Sequence, residues 1–72
     1  MLFSTKDYLN GFISGSKDAV RCFLNMRSDD YKKLLTGESW LDYSDISFEY
    51  KKGYRAGYKE YYEMLKGVLW KN

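Results

Sequence analysis

Apolar side chains recur every three or four residues along most of this 72-residue chain, which contains no proline. That period is typical of amphipathic α-helices. It predicts an all-α fold with two long helices, over residues 5–26 and 45–70, and one short helix between them, over residues 29–36. A chain of this length has room for a single domain, residues 1–72, with a thin core.

Signals for helix ends divide the part of the chain between the long helices. Gly37 is expected to end the short helix, because glycine readily adopts the left-handed conformation that follows many helices. Residues 38–43 have no clean period and are expected to form a loop whose Trp40 and Leu41 pack against the core. The third helix is expected to begin at Ser44 or Asp45.

The first helix carries a broad apolar arc. The stripe that is expected to face the core is widened by four further side chains, Leu9, Ile13, Val20 and Leu24. An arc of this width predicts a helix that is largely surrounded by other elements.

The chain contains an internal repeat with an offset of 42 residues. Residues 7–18 align with residues 49–60, and both follow the pattern acid-Tyr-x-x-Gly-aromatic-x-x-Gly-x-Lys-acid. Each copy places two glycines four residues apart, on one face of a helix. We interpret the repeat as a duplication, or as convergence on one packing motif.

The repeated glycines, Gly11, Gly15, Gly53 and Gly57, each cost about 1 kcal/mol relative to alanine in a helix. Glycines four apart let two backbones approach closely, which offsets that cost. The simplest arrangement is a helical hairpin, an antiparallel pair in which Gly11 and Gly15 face Gly53 and Gly57. Two alternatives stay open: the glycines break the first helix, or Gly53 and Gly57 lie beneath a surface that meets another molecule.

Composition removes several classes of site. With no histidine and a single cysteine, Cys22, the chain lacks the ligands of a structural zinc site and cannot form an internal disulfide. Cys22 is expected to be a small buried apolar residue. The chain also has neither a Gly-x-Ser-x-Gly elbow nor a phosphate-binding loop. We therefore predict that the protein is not an enzyme and uses no metal or cofactor.

Charge and hydropathy limit the cellular location of the protein and the kinds of partner that it can bind. The formal net charge is +2, and no apolar run approaches the roughly 20 residues that cross a bilayer. A cytoplasmic protein that does not bind membranes is expected. An alternative function, as a nucleic-acid-binding accessory protein, rests on basic side chains interleaved with tyrosine in the third helix: Lys51, Lys52, Arg55, Lys59 and Lys66.

Aromatic residues make up 19% of the chain, and eight of them are tyrosine. That is more tyrosine than so small a core needs, and aromatic side chains are enriched at protein interfaces. The main prediction is a non-catalytic protein-binding module, with homodimerisation as one form of binding. The predicted partner-binding residues are Tyr54, Tyr58, Tyr61, Tyr62, Arg55, Trp70 and Trp40.

Residues 48–58, Phe-Glu-Tyr-Lys-Lys-Gly-Tyr-Arg-Ala-Gly-Tyr, resemble the Gly-Tyr-x-x-Gly-Tyr helices of short accessory (early) proteins of tailed bacteriophages. The resemblance covers about a sixth of the chain. It implies a phage-encoded inhibitor or modulator of a host protein, acting in the host cytoplasm. It assigns no role to any individual residue.

Overall fold

The computed structural model describes residues 5–70, with side chains for residues 5–68. Within that range the elements are α1 (Thr5–Leu24), α2 (Ser28–Thr36), a 3₁₀ helix (Trp40–Tyr43) and α3 (Phe48–Trp70). The predicted fold class is confirmed: two long helices pack closely against each other, and a short helix lies between them in the chain.

The ends of α1 and α2 follow from backbone conformation. α1 ends two residues before its predicted limit because Met26 has a φ of 56°, in the left-handed region. The Arg27 N–H bonds to the carbonyl of Cys22 at 3.0 Å, and the Cys22 thiol donates to the Arg27 carbonyl at 2.9 Å. α2 ends as predicted at Gly37, which has a φ of 80° and whose N–H bonds to the carbonyl of Lys33.

The segment predicted as a loop contains the 3₁₀ helix. The Ser39 hydroxyl accepts the N–H of Leu41 at 3.2 Å, and the Ser39 N–H bonds to the Asp42 carboxylate at 3.2 Å, so the two side chains form a capping box. α3 begins three residues later than predicted, directly after Ser47. The Ser47 hydroxyl accepts the N–H of Tyr50 at 3.2 Å and caps the helix.

The two long helices run parallel, so the predicted antiparallel direction is wrong. At the start of both helices the Ser47 hydroxyl donates to Asp7 at 3.1 Å. Near the end of α1 the rings of Phe23 and Tyr62 meet with centroids 5.7 Å apart. Contact positions therefore advance together along α1 and α3.

The parallel direction depends on the connection between the long helices. An antiparallel pair needs only a short turn, whereas a parallel pair needs a segment that returns along about 30 Å of helix. Residues 25–47 supply that return through α2 and the 3₁₀ helix. We call residues 25–47 the crossover segment.

The core lies where the crossover segment packs against α1 and α3. Tyr31 of α2 stacks on Tyr58 and Tyr62 of α3, with ring centroids 6.0 and 4.1 Å apart. Cys22 is buried, as predicted. The buried apolar and aromatic residues are Ala19, Cys22, Tyr31, Leu34, Leu41, Tyr54, Tyr58 and Tyr62.

Candidate interaction face

The repeat glycines of α1 lie directly against the backbone of α3. A Cβ added to Gly11 would lie 2.9 Å from the carbonyl carbon of Tyr50. A Cβ added to Gly15 would lie 2.9 Å from the carbonyl carbon of Tyr54. Real Cβ atoms do not occur this close to backbone atoms, so both positions require glycine at the observed helix separation.

The glycines of α3 make the reciprocal contacts. A Cβ on Gly53 would lie 2.9 Å from the carbonyl carbon of Tyr8, and one on Gly57 would lie 3.0 Å from the carbonyl carbon of Phe12. A Cβ on Gly57 would also lie 2.9 Å from the hydroxyl of Ser16. The second pair of glycines therefore faces α1 rather than another molecule.

These contacts give the helix pair an approximate twofold symmetry. The 42-residue offset converts the contact of Gly11 with Tyr50 into that of Gly53 with Tyr8. Because equivalent residues make equivalent contacts and the helices run parallel, the approximate axis lies parallel to the helices. Each helix consequently presents an equivalent stripe on opposite sides of the pair.

The crossover segment covers the stripe on α3. Tyr54, Tyr58 and Tyr62 lie on this side, and their exposed fractions are 3%, 4% and 5%. Tyr31 stacks on two of these rings, and the edge of Trp40 contacts Tyr54 with centroids 5.5 Å apart. This covered stripe forms most of the aromatic core.

The equivalent stripe on α1 has no such cover within residues 5–70. The 42-residue offset relates Tyr54 and Tyr62 to Phe12 and Val20, which are only half-buried. Beside them Leu9 and Ile13 are exposed by 53% and 52%. The prediction that α1 is largely surrounded is therefore wrong, because one crossover segment can cover only one side of the pair.

On the same side of the helix pair, α3 carries small residues with an acidic residue at each end. Glu49, Gly53, Ala56 and Glu60 are spaced by four, three and four residues and therefore follow one helix face. Ala56 and Tyr58 are the residues directly before and after Gly57, so they point to opposite sides of the contact between Gly57 and α1. The helix face that contains Ala56 therefore lies on the side away from the tyrosines. We use the name uncovered face for the surface formed by Leu9, Phe12, Ile13 and Val20 of α1 with Glu49, Ala56 and Glu60 of α3.

The residues predicted to bind a partner do not form one exposed surface. Tyr54, Tyr58 and Tyr62 belong to the core, so a partner would have to displace the crossover segment to contact them. The chain contains more tyrosine than an aliphatic core would need, because aromatic stacking packs the crossover segment against α3.

The other predicted partner residues are dispersed. Arg55 donates to Asp42 of the 3₁₀ helix, and Tyr61 is half-buried with its ring edge-on to Phe12, 6.5 Å between centroids. Trp40 is exposed by 55%. Trp70 lies in the last turn of α3, and its side chain is outside the described residues.

Sequence reasoning assigned Leu9, Ile13 and Val20 to the core side of α1 and so missed the uncovered face. The signal that could have identified it is the breadth of the apolar arc of α1. One parallel neighbour covers the stripe that contains Gly15 and Ala19, and the remaining part of the arc extends beyond that contact.

Two carboxylates reinforce the aromatic core. Tyr31 donates its phenolic proton to Glu63, and Tyr54 donates to Asp18. Burial, followed by these hydrogen bonds to carboxylates, raises the pKa of Tyr31 and of Tyr54 above the ordinary value. Burial, with further contributions from Cys22, also raises the pKa of Tyr58 and Tyr62.

We expect these tyrosines to make the fold sensitive to alkaline pH. An unfolded tyrosine ionises near pH 10, whereas the folded state holds these phenols neutral, so their stabilising effect is complete below that pH and is lost above it. The free energy of unfolding should fall by up to about 1.4 kcal/mol per pH unit for each such tyrosine. Urea unfolding followed by circular dichroism at a series of pH values measures this.

The matched control for the alkaline transition is Tyr54→Phe. This variant removes one of the raised phenols and should make the decline above pH 10 shallower. A wild-type free energy of unfolding that stays constant through the range in which free tyrosine ionises would contradict the assignment.

A cavity of about 440 Å³ opens between the crossover segment and the long helices, with Trp40 in its wall. Four of the six charged side chains in its wall form ion pairs. Arg21 bonds to Asp18 at 2.9 Å, and Arg27 bonds to Asp30 at 2.8 Å. These ion pairs occupy two of the three carboxylates in the wall, so we prefer the uncovered face as the candidate site.

Two further features bear on the class of protein. Among the described residues, no group of cysteine and carboxylate side chains is placed to hold a metal ion. None of the helices in residues 5–70 combines the length and the apolar character needed to cross a bilayer. The fold and the face together define a small all-α domain, a parallel helix pair with a crossover segment on one side. No family model, curated protein or solved structure matches the chain.

Proposed function

We propose that this protein is a non-catalytic module that acts by binding protein through the uncovered face. The observation that carries the proposal is the exposure of Leu9 and Ile13, each about half exposed, beside the stripe of α1 that is equivalent to the covered tyrosine stripe of α3. Contiguous exposed apolar side chains on a small domain mark interaction sites.

The chemistry of the face favours a protein surface as the ligand. The apolar ridge of α1 lies beside the small side chain of Ala56, so the face has the relief into which a second helix packs. The charges of Glu49 and Glu60 beside the ridge favour a basic partner and disfavour a nucleic-acid backbone.

The arrangement of α3 gives less support to nucleic-acid binding. Arg55 is paired with Asp42, and Lys52 lies over the ring of Phe48, 5.5 Å from its centroid. The rings of Tyr54 and Tyr58, which base stacking would require, are buried. We therefore place protein binding first.

The resemblance of residues 48–58 to helices of phage accessory proteins extends the proposal to the biological partner. It implies an inhibitor or modulator that associates with a host protein in the host cytoplasm. The absence of a histidine base and the hydrogen-bonded thiol of Cys22 support a role without catalysis.

Site-specific photocrosslinking in the native host tests the proposal. A photoreactive benzoylphenylalanine at position 13 should form protein adducts on irradiation, because Ile13 is 52% exposed and belongs to the uncovered face. The same group at position 32, where Lys32 is exposed on α2, is the matched control. Mass spectrometry of the adducts identifies what occupies the face.

Adducts at position 13 that are absent at position 32 and are lost on Leu9→Asp support the proposal. Equal labelling at the two positions, or crosslinks at position 13 to nucleic acid alone, would overturn it. A host protein and a second copy of this chain both count as protein partners in this experiment, and their masses distinguish them.

A further inference from the structure

The approximate twofold symmetry of the helix pair relates two aspartates to two glutamates. At the offset of 42 residues, Asp7 and Asp18 of α1 correspond to Glu49 and Glu60 of α3. The symmetry exchanges the two sides of the pair, so the aspartates lie on the side of the crossover segment and the glutamates lie on the uncovered face. A pair of acids therefore occurs once on each side.

The aspartates on the covered side are bonded within the chain. The Ser47 hydroxyl donates to Asp7, and the phenol of Tyr54 donates to Asp18. Asp18 also forms an ion pair with Arg21. Both carboxylates thus have their donors without the help of another molecule.

The glutamates on the uncovered face have no such donors. Phe12 takes the place of Tyr54 in the symmetry, and it has no hydroxyl group to donate to Glu60. Within residues 5–68, neither the Glu49 nor the Glu60 carboxylate takes part in a hydrogen bond or an ion pair. The uncovered face therefore carries two carboxylates that are available to a ligand.

The basic side chains of the chain itself are directed elsewhere. Lys52 lies over the ring of Phe48. Lys6 and Lys17 lie about half a turn round α1 from Gly15, so they project away from α3. A basic group from another molecule is therefore the complement that the two glutamates lack.

The apolar part of the face lies between the two glutamates in height. At the 42-residue offset, Leu9 and Ile13 are level with positions 51 and 55 of α3. Glu49 and Glu60 are eleven residues apart, which is about three turns or roughly 16 Å along a helix. A ligand that covers the face therefore meets an acid, apolar side chains and a second acid in turn.

The covered side shows what kind of element fits such a surface. There the helix α2 packs on α3 by stacking Tyr31 on Tyr58 and Tyr62. The positions that correspond to these two tyrosines on the uncovered face are Ser16 and Val20, whose side chains are smaller. The ligand must therefore supply the bulky side chains, and a helix is the form that the symmetry favours.

We infer that the partner at the uncovered face is an amphipathic helix of another protein, with basic residues about three turns apart that bind Glu49 and Glu60. Its bulky apolar side chains pack on Leu9 and Ile13, along a stripe next to the basic one. This inference rests on the proposed function and adds the chemical class and the form of the partner.

Peptide binding to the purified chain tests the inference. The probe is a fluorescent helical peptide of about 18 residues. It has two arginines eleven residues apart, leucine and phenylalanine on the adjoining stripe, and alanine and glutamine elsewhere. The control peptide has glutamate in place of both arginines. In a polarisation titration the arginine peptide should bind at least about tenfold more tightly than the glutamate peptide.

Variants of the protein show whether the two glutamates cause this preference. Glu49→Gln/Glu60→Gln should reduce the preference for the arginine peptide at least about fivefold, because the variant keeps the shape of the face and removes its charge. Glu38→Gln, which makes the same change at an exposed position of the crossover segment, should leave the preference unchanged. Circular dichroism checks that both variants keep their helices.

Crosslinking in the native host gives a second measurement. The partner segment that is attached to benzoylphenylalanine at position 13 should be helical, with lysine or arginine residues about three turns apart. Glu60→Lys should reduce the yield of this adduct at least about tenfold. Exchange of the partner's basic residue for glutamate should restore the yield with Glu60→Lys.

The outcomes separate this inference from the proposed function. An arginine peptide that does not bind, equal affinity for the two peptides, or a preference that survives in Glu49→Gln/Glu60→Gln overturns the basic helix. Host adducts at position 13 with an acidic segment, or with a second copy of this chain, also overturn it and leave the protein-binding function standing. Absence of protein adducts at position 13 removes both.

Discussion

Gly15→Ala is expected to unfold the domain or bring it close to unfolding. The added methyl group would lie 2.9 Å from the carbonyl carbon of Tyr54 and 3.0 Å from its Cα, and neither backbone atom can move without separating the helices. Overpacking of this kind costs about 3 kcal/mol or more, out of a total of roughly 4–11 kcal/mol for a domain of this size. Thermal unfolding followed by circular dichroism measures the loss.

Gly67→Ala is the matched control, because a Cβ at Gly67 would meet no atom within 4 Å. Alanine is favoured over glycine in a helix by about 1 kcal/mol, so this variant should be slightly more stable than the wild type. Gly57→Leu, which adds a larger group against the carbonyl of Phe12, should unfold the chain completely. A Gly15→Ala variant that is as stable as Gly67→Ala would refute the close helix contact.

Tyr58→Ala is expected to lower the free energy of unfolding by about 3–5 kcal/mol, the range for removing a large buried aromatic ring. Tyr58 is 4% exposed and lies between Tyr54 and Tyr62, with ring centroids 5.8 and 6.4 Å away, while Tyr31 stacks on it from α2. Its loss should loosen the crossover segment first. Urea unfolding, together with hydrogen exchange of α2, measures both effects.

Tyr43→Ala is the control for the tyrosines. Tyr43 is 78% exposed, so this variant should change stability by no more than about 0.5 kcal/mol. If Tyr58→Ala were as stable as Tyr43→Ala, the assignment of Tyr58 to the core would be wrong. A loss of stability in Tyr58→Ala that is absent in Tyr43→Ala would confirm that the repeated tyrosines of α3 stabilise the fold.

The elements of this fold could be predicted from the sequence because they depend on local patterns. The apolar period located α1 and α3, and the left-handed preference of glycine located the end of α2 at Gly37. The start of α3 was predicted too early because a serine can also cap the 3₁₀ helix and the turn after it, and Ser44 does so. Ser44 bonds to the carbonyl of Leu41, which leaves Ser47 to cap α3.

The direction of the helix pair could not be predicted from local patterns. Glycines four residues apart permit close contact between parallel and antiparallel helices alike, so the repeat alone did not decide between them. The decision lies in the crossover segment, where Tyr31 and Leu41 become buried against α1 and α3. Its burial also explains why Tyr54, Tyr58 and Tyr62 of α3 belong to the core, whereas Leu9 and Ile13 of α1 are exposed.

The parallel pair has a consequence for synthesis on the ribosome. Gly15 meets Tyr54, so α1 must wait for about 40 further residues before its neighbour has been made. At 5–20 residues per second, that delay is roughly two to eight seconds. Throughout that time the glycine-bearing side of α1 has no neighbour, in addition to the side that carries Ile13. Of the two long helices, α1 is thus the one more in need of protection during synthesis, and aggregation is most favoured before α3 has been made.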